Sequence, residues 1–274
     1  MKKKLLTAPY LLWMLIFTIV PLILVVYFSL FESGPEGIRF TAVHLERVFE
    51  PIYLKVILRS IWLALISTVF CLLLGYPMAM ILASKGLKRR DFLIVLFVLP
   101  MWMNFLARTY AWMTLLENKG IINQLLAALS LPALNILYTD KAVILGMVYN
   151  FLPFMVLPIY SVLQKIDHSL IEAAEDLGAT PYKTFFKVTF PLSLSGVASG
   201  IIMVFMPAVT TFVISRLLGG GQYMLIGNLI EQQFLTTGDW GFGSSLSLIL
   251  MIFLLLTMGI MSKTDKDQEG GRFW

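Results

Sequence analysis

Six apolar runs, at about 5–31, 57–83, 92–116, 142–163, 192–218 and 243–261, are each long enough to cross the hydrocarbon of a bilayer, which takes ~20 residues of α-helix. Inside lipid every backbone N–H and C=O must be paired within the segment, so runs like these fold as helices. Together they use roughly half of the 274 residues. The remainder is too short and too apolar for a separate soluble domain, and residues 1–274 read as one all-α transmembrane domain. Composition agrees: 58% of residues are hydrophobic and 14% charged, where soluble domains run near one-quarter charged. Mean hydropathy is +0.84. A soluble enzyme, a disordered chain and a disulfide scaffold are excluded. Cys71 is the single cysteine and there are two histidines, so an internal disulfide is impossible and a metal-ligand cluster is not expected.

The first run follows Lys2, Lys3 and Lys4, as in a signal peptide. It is longer than a signal core of ~7–15 residues and no small-x-small cleavage site follows, so it reads as a retained helix. With the N-terminus inside, thirteen of the 21 Lys and Arg fall on inner segments and eight on the other side. The stretch Lys85-Gly-Leu-Lys-Arg-Arg90 is the clearest concentration. By the positive-inside rule both termini face the cytoplasm. The outer loops are then about 32–56, 117–141 and 219–242, and the inner loops about 84–91 and 164–191. No G-x-x-x-x-G-K-[ST] phosphate loop is present, so this chain cannot hydrolyse ATP by that route. Neither a nucleophile–base pair nor a basic nucleic-acid patch is evident, and no enzymatic activity is expected of the chain.

Five of the six runs hold an interior proline: Pro21, Pro77, Pro100, Pro153 with Pro158, and Pro207. Each removes a backbone donor and crowds the preceding turn. Kinked helices of this kind suit a transporter or channel. In the third run Asn104, Arg108 and Trp112 share a face at i, i+4, i+8. Arg108 lies ~24 Å along that helix, near the outer interface, within reach of Glu117, Asp140 or Glu231 as a partner; Arg216 in the fifth run is read the same way. Met203, Pro207, Thr211 and Ser215 form one stripe of that fifth run, with Thr210 beside it. The stripe either lines an aqueous path or bonds helices together. Tyr149 and Asn150 precede Pro153, where the Asn either lines a path or satisfies a backbone group that the proline frees. Short helices are expected near 120–129 and after Gly219, Gly220 and Gly221.

The inner loop is the most structured of the connections. Ser169 and Glu172 have capping-box spacing, and Ile171, Ala174 and Leu177 make one helical face. Gly178 suits a left-handed helix end. Thr180-Pro181 starts a second short helix with proline at its first position, and Pro191 marks the entry to the fifth span. Small residues at Ala173, Ala174 and Ala179 let another surface approach closely. A compact helix–turn–helix there has little purpose unless something docks on it.

This loop resembles the EAA loop of ABC-importer permeases: E-A-A, three residues, G, nine residues, then I-x-L-P. Here Glu172-Ala173-Ala174 is followed by Gly178, then by Val188, Phe190 and Pro191, with Val and Phe standing where the pattern has Ile and Leu. The six-span layout extends the resemblance over nearly the whole chain. A second resemblance is to the polyamine branch of these permeases and its first subunit, carried by residues 99–112, 118–123, 152–160, 172–179 and 225–228.

The resemblance implies a six-helix, type I importer permease (MetI-like) in a bacterial cytoplasmic membrane. Its implied partners are a second permease, a pair of cytoplasmic ATPases that use ATP and Mg, and an external polyamine-binding protein. It implies no cofactor bound by this chain and no nucleic acid. Glu172, Ala173, Ala174, Leu177, Gly178, Ala179 and Pro191 are the implied coupling residues. A polyamine path calls for oxygen acceptors, carboxylates and aromatic faces. Candidates are Trp102, Asn104, Tyr110, Trp112, Tyr149, Asn150, Thr211, Ser215, Tyr223, Glu231 and Asp239. Another small solute (an opine, an amino-acid-like compound or an anion) is the alternative cargo. An ion-coupled secondary carrier would call for mid-span acids and an internal repeat, and neither is evident.

Overall fold

The computed structural model describes residues 9–34, 37–84, 89–221 and 224–270. Lys2–Lys4, Lys85 and Lys88 of the orientation argument, Arg272 and Tyr223 lie outside the described residues. Among the described residues, five helices are long and apolar enough to cross a membrane: α1 (Pro9–Leu30), α3 (Pro51–Ala83), α7 (Asp140–Leu163), α9 (Pro181–Thr210) and the first part of α12 (Trp240–Gly270). The third apolar run is not one straight span. It divides into α4 (Arg90–Trp102) and α5 (Phe105–Leu116), and α5 with the short α6 (Ile121–Ala128) bends away from α4 by 91°. Pro100 sits in the 3₁₀ turn that ends α4. Asn104 opens α5 by accepting hydrogen bonds from the N–H groups of Leu106 (2.8 Å) and Ala107 (3.3 Å). A side chain that caps a helix cannot also sit on a helical face, so the expected Asn104–Arg108–Trp112 stripe begins only at Arg108.

Helices α3, α7 and α9 form the core, each packing on the other two, while α12 packs mainly against α1 and touches α9. Close packing is set by small residues. A Cβ on Gly196 of α9 would lie 2.9 Å from the Pro158 carbonyl oxygen, and one on Gly200 2.8 Å from the Met155 sulfur. Polar side chains pair across other seams: Tyr76 of α3 with Ser193 of α9 at 2.7 Å and Ser29 of α1 with Ser245 of α12 at 3.0 Å. Close approach and hydrogen bonding do the work that hydrophobic burial does in water. Helix α1 buries almost nothing but Ser29, and its apolar surface is suited to hydrocarbon.

Two wide π-turns, Leu15–Ile19 in α1 and Phe185–Thr189 in α9, each stand just before a proline, Pro21 and Pro191. The wide turn moves the carbonyl four residues back away from the proline ring, so the helix continues. Regular α-helix resumes at Phe190, with Pro191 in its first turn, but the helix as a whole begins ten residues before that proline, at Pro181. At its other end α9 stops at Thr210. Thr211 has extended backbone (φ −63°, ψ 137°), and the chain resumes as α10 (Val213–Leu218). The short α11 (Ile226–Gln232) precedes α12. An antiparallel hairpin of β1 (Phe31–Gly34) and β2 (Gly37–Phe40), followed by α2 (Val43–Val48), joins α1 to α3.

Candidate functional site

At one end of the bundle the 164–191 loop folds into α8 (His168–Asp176) packed on the first turns of α9. Local chemistry builds it. Asp167 is the N-cap, its carboxylate accepting from the Ser169 N–H at 3.0 Å. The expected Ser169–Glu172 capping box does not form, because the helix starts one residue before Ser169. Glu172 instead pairs with His168 one turn back, Oε1 to Nδ1 at 2.8 Å. Gly178 takes the left-handed conformation (φ 79°). There its N–H reaches the Glu175 carbonyl (2.8 Å) and the Ala179 N–H the Ala174 carbonyl (3.0 Å), closing the helix end. Thr180 caps α9, accepting from the Lys183 N–H at 3.4 Å.

No residue of α8 is buried. The expected Ile171–Ala174–Leu177 face divides. Ile171 and Ala174 turn partly inward, Ile171 towards a shallow cavity lined by Met80, Leu163 and Thr189. Leu177 is 89% exposed, and Leu170, Tyr182 and Phe186 are exposed with it. Glu172 and Ala173 also face outward. The outcome is a knuckle with both apolar and acidic side chains exposed, set on the start of a continuous 30-residue helix, ~45 Å long at 1.5 Å per residue.

Away from this loop, the expected pathway residues fall into separate groups. Trp112 and Tyr149 meet edge-to-face, ring centroids 5.2 Å apart. Trp102, at the α4–α5 break, and Tyr110 are exposed. Asn150 is buried and donates to the Gly146 carbonyl at 2.9 Å, not to the Tyr149 carbonyl that Pro153 frees, and its own oxygen has no partner. The expected fifth-span stripe is broken at Thr211. Ser215 is buried on α10, donating to the Phe212 carbonyl and pairing with the Asn228 side chain, which itself donates to Phe212 at 2.8 Å. Ser215 is thus interhelical glue.

Asp239 is tied to Arg47 at 2.8 Å and also accepts from the Phe242 N–H at 3.0 Å. The Arg47 guanidinium lies 4.2 Å from the Phe242 ring centroid. Hydrogen bonds to Tyr53 first and Asp239 second raise its pKa above the ordinary value. Arg59 holds Asp140 at 2.7 Å, and Arg216 holds Glu231. Two of the three partners expected for Arg108 are therefore taken. Arg108 is buried, its Nε has no hydrogen-bond partner, and its guanidinium stands 5.9 Å from the Phe105 ring centroid.

Glu231 is the expected pathway residue that borders cavities. One of about 310 Å³ has a mixed lining: Arg216, Asn228, Glu231, Gln232 and Thr236 together with the apolar Met224 and Leu235. An apolar one of about 520 Å³ on its other side is lined by Met206, Leu250, Met251 and Leu254 among others. Arg216, Asn228, Gln232 and Thr236 were not among the expected pathway residues. Their grouping depends on how α10 and α11 fold back on each other, and the one signal in the sequence was the pair of opposite charges flanking the glycine turn.

A bundle of kinked and broken apolar helices, with a helical knuckle set on a continuous 30-residue helix of its core, defines a multi-pass membrane transport component. Residues 72–267 match the family of binding-protein-dependent transport system inner membrane components, and the chain belongs to that family. It is similar to the spermidine/putrescine transport system permease protein PotB of Haemophilus influenzae, at 39% identity over 93% of this chain and 91% of the relative. Against the protein of the same name from Escherichia coli K12 the identity is 39%, over 91% of each chain. A chain of the crystal structure of a bacterial ABC transporter involved in the import of alginate superposes with a TM-score of 0.78 over 96% of each chain, at 17% identity, and shows the same fold. The chain is a multi-pass inner-membrane protein.

Proposed function

We propose that this chain is a membrane-spanning permease subunit of an ATP-driven importer of spermidine and putrescine. The likeness to spermidine/putrescine permeases over more than nine-tenths of the chain carries this reading. It is a non-catalytic subunit: nucleotide hydrolysis belongs to a pair of ATPases at the α8 end, cargo delivery to a binding protein at the other end, and the bundle is completed by a second permease. The α8 end and both termini face the cytoplasm.

The geometry suits that work. The knuckle's exposed Leu177, Leu170 and Tyr182 give an ATPase an apolar surface to grip. A push there travels along α9, which reaches the break at Thr211 without interruption. The carbonyls on either side of that break are held by α11: Phe212 by Asn228, while Gly227 lies against Thr210. Movement of the knuckle is thereby delivered to the helices that surround Glu231.

The test is uptake of labelled spermidine and putrescine by cells that lack their own polyamine import and express this chain with its partner subunits. Saturable, ATP-dependent uptake is expected. Uptake that persists without any ATPase subunit, or no polyamine uptake by an assembled complex, refutes the reading.

A further inference from the structure

Among the acidic side chains at the far end, Glu231 stands in a distinctive place. Asp140 is bonded through both oxygens to Arg59. Asp239 is occupied by Arg47 on one oxygen and by the Phe242 N–H on the other. Glu231 has one charged partner, Arg216, through one oxygen. The two side chains differ in exposure, Arg216 at 56% and Glu231 at 18%. The guanidinium is therefore the solvent-side member and the carboxylate lies beneath it. The Arg reaches Glu231 from α10 across a turn in which Gly220 and Gly221 take positive φ. Half-exposed pairs of this kind contribute little net stability, so exchange of the cation on the carboxylate is not costly.

The surroundings of the carboxylate fit one kind of cation. On one side are the Gln232 amide and the Thr236 hydroxyl, with Asn228 beside them, itself engaged by Ser215, the Leu225 N–H and the Phe212 carbonyl. On the other are the methionine and leucine side chains of α9 and α12. A linear aliphatic amine carries ammonium groups joined by short methylene chains. Its charged end needs a carboxylate with neighbouring acceptors, and the chain behind it needs an apolar wall. A guanidinium, being a diffuse cation, is a fair stand-in for the ammonium until it arrives.

We propose that the Arg216–Glu231 ion pair is a displaceable gate: an ammonium group of a linear di- or polyamine replaces Arg216 on the Glu231 carboxylate, with its methylene chain along Met206, Leu250, Met251 and Leu254. This deepens the polyamine reading above and rests on it. The step is an exchange of ion partners with no covalent change. When the amine leaves, Arg216 returns and neutralises the carboxylate again. Because Gly227 and Asn228 tie this helix to the end of α9, a shift of α9 alters the carboxylate's surroundings and releases the amine.

The test uses the whole importer in cells, with uptake of labelled spermidine normalised to the amount of tagged permease in the membrane. Four variants are compared: Glu231→Gln, Glu231→Asp, Arg216→Gln and the double variant Glu231→Gln with Arg216→Gln. Loss of a charged partner predicts a fall of about tenfold or more for Glu231→Gln. Arg216→Gln is expected to exceed the wild-type rate at low spermidine, since no side-chain cation then competes for the carboxylate. The double variant is expected to stay as low as Glu231→Gln, and Glu231→Asp to keep most of the activity. If both single variants fall alike and the double variant recovers, the pair is only a structural tie and the gate is refuted. Wild-type uptake by Glu231→Gln refutes it as well. Should Glu231→Gln fail to reach the membrane, a strong loss in a well-inserted Arg216→Gln still overturns the proposal. Absence of polyamine uptake by the wild-type importer is a separate result: it overturns the polyamine reading, and this gate with it.

Discussion

The knuckle at one end of the bundle and the broken helices at the other are built on opposite principles. Helix α8 buries no residue, and the chain next to it supplies both of its ends: Asp167 before, Gly178 and Ala179 after. Helices α10 and α11 bury Ile214, Ser215, Leu218, Ile226, Gly227 and Leu229. They are held by groups far away in the chain. Ser60 of α3 accepts from the Ile226 N–H at 2.8 Å, and Asn228 bridges back to Phe212. An element that is to be gripped and moved by another protein must keep its shape on its own. One that receives the motion is shaped by what it rests on.

The strongest way to break this contrast is Gly227→Ala. The added methyl would stand 2.5 Å from the Thr210 carbonyl oxygen and 3.0 Å from that of Thr211. Both neighbours are backbone at the end of a packed helix and cannot turn aside. Overpacking of this kind costs ~1–3 kcal/mol and occasionally more, and here it also separates α11 from α9. The expected result is poor accumulation in the membrane and a lowered Tm in detergent. A variant as stable as the parent would show that α10–α11 hold their shape without α9.

Gly178→Val probes the other region, and the expected effect is on coupling more than on stability. Nothing lies within 4 Å of a Cβ at Gly178, but φ is +79°. The cost is backbone strain, of order 1–2 kcal/mol for an ordinary residue and greater for a β-branched one. It falls on a turn that carries no core. Insertion and the Tm of the bundle are expected to hold while uptake and cargo-stimulated ATP hydrolysis drop. Glu172→Lys, which replaces the His168 pairing with repulsion when the His is protonated, is expected to do the same. Unaltered uptake in both would count against α8 as the docking element.

The same contrast explains what was legible in the sequence. Gly178, the Thr180-Pro181 start and the short helices expected near 120–129 and after Gly219, Gly220 and Gly221 follow from turn and capping chemistry within a few residues, and the structure has helices at Ile121–Ala128 and Ile226–Gln232. The six-run count is legible because hydrocarbon imposes a length. The breaks at Met103–Asn104 and Thr211–Phe212 were not, since each lies inside an unbroken apolar run. What makes them tolerable is distant. Asn123 accepts from the Leu134 N–H at 2.6 Å and donates to the Glu117 carbonyl at 3.0 Å, which folds the segment after α6 back beside the end of α5. Asn228 does the equivalent for Phe212. The pairings of Arg216 with Glu231 and Arg47 with Asp239 depend on these folds, so the residues were nameable from the sequence and their grouping was not.

The smallest expected effect separates two ways of starting α8. If Asp167 is the N-cap, Asp167→Ala removes one accepted hydrogen bond and costs ~1 kcal/mol of local helix stability. The negative charge near the helix start is lost with it. Ser169→Ala is then nearly silent, because that hydroxyl lies inside the first turn and no cap depends on it. A Ser169–Glu172 capping box predicts the reverse order. Amide hydrogen exchange at residues 169–172 reads the difference directly. About a fivefold loss of protection corresponds to 1 kcal/mol at 25 °C, and it is expected in Asp167→Ala alone. The Tm of the bundle is expected to stay constant in both variants, because α8 contributes no buried residue to it. A matching fall in Tm would mean that the knuckle and the bundle unfold as one unit, and the separation between a locally built lever and a globally built receiver would no longer hold.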